Sequence, residues 1–455
     1  MALKDSKVPP EYLDMLCQEY RENNIILPEH YQNVNVKRGL RNKDGTGVVA
    51  GVTLITNVHG YLLNEGDVMP VPGELTYRGI NIQDIVDHCL ADNRFGYEEV
   101  AYLLLVGKLP TAKQLDEFID ILAECRELPK HFTEDVLINS PSPNIMNKLQ
   151  SSILSLYAFD KRAEELTLAN VLRQSIELVA RLPIIVTRAY QVKKYYYDKV
   201  SMSINYAQRE LSTAENFLYA LRRDNQFTEL ESRTLDLALM LHADHGGGNN
   251  STFAARVLTS TGTDTYSAMA AAVGSLKGPL HGGANLKVME MFHDMKEHVK
   301  DVHDDEEIAR YLTKILNREA GDGSGLIYGM GHAVYTLSDP RAEILRGGAH
   351  DLAVQKGFED DFTLLNAVER LTPEVFRTVK GSTKPVCANV DLYSGLVYQM
   401  LDIPMELFTP IFAIARITGW AANRLEELQT GGRIIRPAYK TVMSNQPYTS
   451  LGDRV

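Results

Sequence analysis

Cysteine is scarce and scattered. Cys17, Cys89, Cys125 and Cys387 are the only four in 455 residues and no two form a Cys-x-x-Cys pair, which argues against a disulfide framework and a cysteine zinc site alike. A reducing compartment fits that usage. The chain also lacks any apolar run near the roughly 20 residues needed to span a bilayer. Met1 to Tyr20 mixes Asp5, Glu11 and Asp14 with lysines, where a secretory leader is apolar and a transit segment is poor in acids. The expected location is the cytoplasm. Positive charge is in deficit, 47 Lys and Arg against 59 Asp and Glu, a net charge of −12. Such a surface disfavours nucleic acid and anionic membranes, so an anionic ligand must be met by a local cluster of cations.

What is present is an ordinary globular composition, 44% hydrophobic and 23% charged, with material for a large core. The length suits two or three average domains, or one α-rich unit with an inserted lobe. Residues 1 to about 35 are polar and prolines interrupt them, as in a helical or loose arm. From Val36 to Asn64 glycines and β-branched residues take over, and Asp44-Gly45 is a hairpin signal, so the one small β element is expected there. Beyond Gly79 helical spacing dominates. Thr111 with Gln114 and Ser212 with Glu215 read as capping boxes, and Tyr266–Leu276, Leu364–Leu371 and Ile411–Leu428 as helices. The fold class is mainly α. Gly-rich stretches at 278–283 and 321–331, with Lys380–Pro385, bracket an interval that reads as a lobe inserted into a larger helical domain. Clefts between such lobes are common ligand sites.

Gly278-Pro-Leu-His281-Gly-Gly places a histidine at the mouth of a helix that begins near Leu286. Amide donors and the positive dipole end would keep that imidazole neutral, an electrophile able to donate a hydrogen bond; the plainer reading is a turn with a surface histidine. His242-Ala-Asp-His245 has metal-like spacing without a third ligand, and each histidine reads equally as structural or anion-binding. The run Gly325 to Tyr335 crowds glycines beside His332, either so that backbone amides approach a ligand or as a flexible loop, and it matches neither a dinucleotide fingerprint nor a P-loop. Arg341 follows at a helix start. Asp391, after Asn389-Val390, is an N-cap or a general base. Arg416 lies in an apolar run beside the only tryptophan, Trp420, and needs an anionic partner; Arg436 is a further cationic candidate. Arg188 to Lys199 interleaves cations with tyrosines, as a phosphate grip or a snorkelling face.

Together the motifs around His281, His332 with Arg341, and Asp391 with Ser394-Gly395 resemble the citrate synthase family. The likeness extends over nearly the whole chain, through Arg38–Gly51, Tyr77–Ile80, Glu98–Thr111 and His242–His245. It implies a two-domain helical fold, with a large domain of residues 1–282 and 391–455 and a small domain of residues 283–390 that closes over substrate. It implies a homodimer with shared active sites that condenses acetyl-CoA with oxaloacetate and hydrolyses the citryl thioester. By position, Asp391 removes a methyl proton, His281 bonds the thioester oxygen, and His332 polarises the ketone. His245, Arg341 and Arg416 hold carboxylates, with Arg436 reaching in from the partner. Leu326, Ile327, Gly329, Met330, Gly331 and Asn389 line the coenzyme side. No metal and no tightly bound cofactor are implied, and the coenzyme A thioester is a co-substrate. Thr336 and Gln191 stand where some members carry basic residues that meet coenzyme phosphates, with Lys193 and Lys194 as candidate substitutes. A 2-methylcitrate synthase using propionyl-CoA is the alternative within the family, since one methylene gives only about 1–3 kcal/mol of discrimination. A metal-dependent hydrolase built on His242 and His245 is the alternative outside it.

Overall fold

The structure, a computed structural model, describes residues 9–31, 34–64 and 67–454. The chain divides into two compact units, residues 1–50 with 436–455, and residues 51–435. In the first, α1 (Pro10–Asn23) buries none of its residues. Asp44-Gly45 does form a tight turn, in which Asp44 accepts from the Thr46 N–H at 2.9 Å and Gly45 adopts φ +89°. Only the isolated bridge Arg41↔Gly47 flanks it. The C-terminal segment from Arg433 has no regular structure apart from a short turn at Leu451–Asp453.

The larger unit opens with the sheet, whose first strand fills the last part of the Val36–Asn64 interval expected to hold it and whose other two strands follow that interval. Strands β1 (Thr56–Asn64), β2 (Asp67–Tyr77) and β3 (Ile80–Asn81) pair antiparallel in that order. Val49, Val52 and Leu54, whose branched side chains suggested a strand, are exposed and lie outside it. β-propensity without a partner surface does not make a strand.

Helices follow: α2 (Ile82–Ala91), α3 (Tyr97–Val106), α4 (Ala112–Cys125), α5 (Ile145–Leu156), α6 (Leu168–Tyr196), α7 (Thr213–Leu221) and α8 (Glu229–His242). Then come α9 (Asn250–Thr259), α10 (Thr265–Leu276), α11 (Ala284–His298), α12 (Asp305–Leu316), α13 (Pro340–Lys356), α14 (Glu359–Lys380), α15 (Asp391–Met400) and α16 (Phe408–Gln429). Both expected capping boxes are formed, and Thr228 with Glu231 adds a third at the start of α8. The mainly α fold class holds. None of the helices among the described residues is long and apolar enough to cross a membrane.

The core is organised around α16. It is apolar on nearly every side and packs against α3, α6, α8, α9 and α10, as expected of a helix with no solvent face. Helices α8, α13 and α15 pack on one another, and α11 lies against α15. Their ends meet beside the middle of α16, where Arg416 projects.

Candidate active site

The last turn of α8 is clamped from two sides. The Tyr77 hydroxyl on β2 lies 3.0 Å from the Met240 carbonyl and 3.2 Å from the Asp244 carbonyl, and the Gly419 N–H donates to the Ala243 carbonyl at 3.1 Å. A Cβ on Gly419 would stand 2.3 Å from Asp244 Oδ1, so only glycine lets α16 come this close. His242 and His245 are thereby drawn inside. Burial first, then the charge of Arg341, keeps both well below the usual imidazole range and neutral. Nε2 of His245 and both ring nitrogens of His242 are buried with no partner among the described residues. His242 packs on Phe412 at 4.5 Å. The described residues give the pair no third metal ligand.

Arg416 is the centre of charge. It is fully buried, its Nε donates to the His242 carbonyl at 2.6 Å, and Phe412 lies 4.6 Å beneath it. Nη1 and Nη2 have no partner among the described residues. No carboxylate of the described residues is in contact with it, where the sequence reading expected an anionic partner. Burial pushes its pKa down to about 10, offset in part by Asp244 across a longer gap, so the group stays charged at neutral pH. Two open N–H edges on a dry guanidinium are what a ligand carboxylate accepts.

Arg341 is in the first turn of α13, after Pro340, as the sequence reading expected. The Asp339 carboxylate caps the helix by accepting from the Arg341 N–H at 3.0 Å and also grips the side chain, Nε at 3.1 Å and Nη2 at 2.7 Å. Burial works against the Arg341 charge, but Asp339 outweighs it and leaves the pKa raised. Half of the fork is therefore committed internally.

His332 has its proton placed for it. Nδ1 accepts from the Val334 and Tyr335 N–H groups, both at 3.1 Å. That nitrogen carries no proton, so the neutral ring has its N–H on Nε2. The ring stacks on Tyr335 at 4.7 Å and meets His245 edge-on at 5.1 Å.

The glycines before His332 serve close packing. Met330 pairs with Ala388 in an isolated antiparallel bridge, the Gly331 N–H donates to the Cys387 carbonyl at 2.7 Å, and the Asn389 N–H donates to the Gly329 carbonyl at 2.8 Å. The Asn389 side-chain amide adds a bond to the Gly331 carbonyl at 2.9 Å. Gly329 has φ +81°, and a Cβ there would lie 2.9 Å from that of Leu392. Within this loop Ile327 is buried and Leu326 exposed.

That bridge fastens the His332 loop to the start of α15. Asp391 is not the N-cap. Its own N–H is held by Asn389 Oδ1 at 3.0 Å, and its carboxylate accepts no hydrogen bond from the described residues. Burial pushes its pKa up to about 6, against the pull of Arg341 and Arg416. An unbonded carboxylate in such surroundings is basic enough to take a proton.

His281 sits three residues before α11. The turn is fixed by the Gly282 N–H donating to the Leu276 carbonyl at 3.0 Å. Burial first, then Arg416, pushes its pKa down to about 4. The cause of its neutrality is thus burial and a cation more than the helix dipole invoked from the sequence. Its Nε2 lies 3.1 Å from Ser251 Oγ. Ser251 escaped the sequence reading; the one local signal was its place in the first turn of a helix after Gly246-Gly-Gly-Asn-Asn.

The charge of Arg416 bears on His245's neighbourhood, His281 and Asp391 alike, while the bridge joins Asp391 to His332. Arg436 is exposed and belongs to the smaller unit. Lys193 is paired with Asp198 and Glu406, Lys194 lies over Tyr190, and the Gln191 amide donates to the Leu221 carbonyl at 3.0 Å. Arg188 donates to Thr133 at 2.7 Å. Thr336 Oγ1 is buried with no partner among the described residues. A cavity of about 840 Å³ around Lys37, Arg38 and Lys43, and one of about 610 Å³ around Arg222 and Arg223, contain none of the expected site residues.

Comparison with known proteins follows the same outline. Residues 44–438 match the family model described as citrate synthase, C-terminal domain. A citrate synthase of Deinococcus radiodurans is 34% identical over 402 residues, covering 87% of this chain and 98% of its own. A 2-methylcitrate synthase of Shewanella oneidensis is 33% identical over 369 residues, covering 80% and 87%. The crystal structure of citrate synthase from Pyrobaculum aerophilum superposes with a TM-score of 0.75 at 30% identity, covering 92% of this chain and 95% of that one. The ternary complex of the Thermoplasma acidophilum citrate synthase with carboxymethyl coenzyme A and oxaloacetate gives 0.74 at 26% identity, covering 92% and 99%.

Proposed function

The chain belongs to the citrate synthase family of acyltransferases, and from that premise we propose that it condenses acetyl-CoA with oxaloacetate and hydrolyses the citryl thioester to citrate and coenzyme A. The observation that carries the reading is the company Arg416 keeps: a dry cation with two open edges, near a base whose carboxylate accepts no hydrogen bond from the described residues and imidazoles held neutral. Asp391 takes a proton from the thioester methyl group. A thioester methyl is a weak carbon acid, so the oxygen that gains charge must be met at once by a donor, and His281 is that donor. The nucleophilic carbon then adds to the oxaloacetate ketone, whose oxygen accepts from the Nε2–H of His332. Arg416, the remaining edge of Arg341, and His245 hold the carboxylates. Water then cleaves the thioester bond and coenzyme A leaves as the thiol.

On this reading the coenzyme runs along Leu326, Ile327, Gly329, Met330, Gly331 and Asn389. Residues 283–390 form a small domain that closes on a large one of residues 1–282 and 391–455, excluding water from the reactive carbon. The enzyme works in the cytoplasm as a homodimer in which Arg436 completes the partner's site. It needs no tightly bound cofactor. Its thiol-release rate is the test, measured with acetyl-CoA and with propionyl-CoA, each with and without oxaloacetate. Release that requires oxaloacetate and favours acetyl-CoA supports the reading. A preference for propionyl-CoA would make it a 2-methylcitrate synthase, and release independent of oxaloacetate but abolished by a chelator would return the His242/His245 hydrolase.

A further inference from the structure

The small sheet has a dent in it. β1 pairs residue for residue with β2 from Thr56 to His59, which faces Glu74, and pairing resumes where Tyr61 faces Pro70. Gly60 alone therefore stands against Val71 to Gly73. A bulge of this kind bends a hairpin and re-aims what it carries. Neither Gly60 nor Gly73 has a left-handed backbone that would call for glycine. What each lacks is room for a Cβ. One on Gly60 would lie 2.8 Å from the Val334 carbonyl oxygen and 3.1 Å from Tyr335 Cδ1. One on Gly73 would lie 2.2 Å from the Ser338 carbonyl oxygen and 2.7 Å from Tyr335 Cδ1. Hydrogen bonds fasten the same contact: the Gly73 N–H donates to Ser338 Oγ at 3.1 Å, and the Tyr335 hydroxyl donates to the Glu74 carbonyl at 3.3 Å. The bared face of the hairpin is a seat for the Tyr335 ring.

That ring is fully buried and meets three residues of the site. It stacks on His332 at 4.7 Å with the planes 24° apart, meets His245 at 5.6 Å with the planes 75° apart, and has the Arg341 guanidinium over its face at 5.9 Å. The two backbone amides that bond His332 Nδ1 fix one nitrogen but leave the imidazole free to rock about it. A flat wall stops the rocking. An aliphatic side chain would fill the same space, yet it offers neither the edge-to-face contact nor the negative ring face that a guanidinium prefers.

We propose that Tyr335 is a positioning residue, seated on the glycine-lined bulge of the β1–β2 hairpin, that aligns His332, His245 and Arg341 around one substrate. The proposal rests on the reading of those three as the groups that meet oxaloacetate, and it gives the sheet a part in turnover.

Three replacements test it. Tyr335→Phe keeps the ring and loses only the bond to Glu74. Tyr335→Leu loses the ring. Gly60→Ala keeps the ring and pushes on it from the sheet. The readouts are kcat and KM for each substrate, melting temperature, and the imidazole 1H resonances of His332 without substrate, assigned by their loss in His332→Gln.

Tyr335→Leu should lower kcat at least about tenfold and raise KM for oxaloacetate about tenfold, with KM for acetyl-CoA within about twofold. Tyr335→Phe should stay within about threefold of wild type in every constant. Gly60→Ala should shift the His332 resonances, because the ring that shields them is displaced, and lower kcat roughly three- to tenfold. Leucine and phenylalanine variants with equal constants overturn the proposal. So does a leucine variant that melts lower with its constants unmoved, or that loses both substrates equally, since either marks the ring as structural. Gly60→Ala that shifts the resonances without moving kcat, or moves kcat without shifting them, overturns the part given to the sheet. A wild-type chain that releases no thiol refutes the functional reading instead, while the substrate-free resonances still report whether the hairpin moves the imidazole.

Discussion

Asp391→Asn is expected to stop turnover and to make the protein harder to melt at alkaline pH. The Asp391 carboxyl is raised from 3.8 to about 6, chiefly by burial, which costs its ionised form roughly 3 kcal/mol in the folded chain. The folded state therefore binds this proton more tightly than the unfolded chain does. The cost is absent below the unfolded value, grows as pH rises through the interval, and is complete above about 7. Asparagine has the same shape without the charge, so it removes the cost. At about 2.1 cal/mol/K per residue, unfolding a chain of this length carries roughly 1 kcal/mol per degree, and the gain is about 3 °C in Tm at pH 8. By pH 5 it should shrink to about half. Turnover should fall by roughly 10²–10⁴, the range for a lost general base. Thermal melts at pH 8 and 5 with paired thiol-release assays make the measurement. A variant that melts lower than wild type at pH 8, or a gain that does not shrink at pH 5, would show that the carboxylate is not held at the expense of the fold.

Three further outcomes follow from the same geometry. Arg416→Met removes a buried cation whose two η nitrogens have no partner among the described residues. Stability should hold or rise, by up to about 3 kcal/mol, while oxaloacetate affinity falls by roughly 100-fold in calorimetry; equal losses of both would mean that the charge is structural. Gly419→Ala pushes a methyl group into Asp244 and should cost about 1–3 kcal/mol in denaturant unfolding, weakening substrate binding through the displaced His245. The acid limb of kcat/KM should fall tenfold per pH unit below about 6, because Asp391 must be ionised while His281, at about 4, is still neutral there. A limb near pH 4 would assign it to His281.

Helix boundaries and caps were legible in the sequence because they depend on neighbours three and four residues apart. Thr111 with Gln114, Ser212 with Glu215, and Pro340 opening α13 all formed as read. The sheet was placed only in part: β1 lies within the expected Val36–Asn64, but branched residues at 48–55 suit a strand equally well, and only the later residues find partners. The motifs around His281, His332 and Asp391 could be found locally, yet their surroundings could not. That Asn389 relieves Asp391 of capping, that two backbone amides fix the His332 tautomer, and that Asp339 takes half of Arg341 are facts of side-chain direction. Ser251 is the clearest case, since the imidazole it meets stands in a turn 30 residues further along the chain.

The short tie between Met330 and Ala388 bears on how this chain tolerates change. The chain leaves at Met330 and returns at Ala388, and the pin at that point spaces the catalytic imidazole just after one arm from the base just after the other. Further out α14 has its own moorings on α12, α13 and α15, so the turn at Gly357 and the Gly381–Pro385 stretch can change in length while the two reactive groups keep their separation.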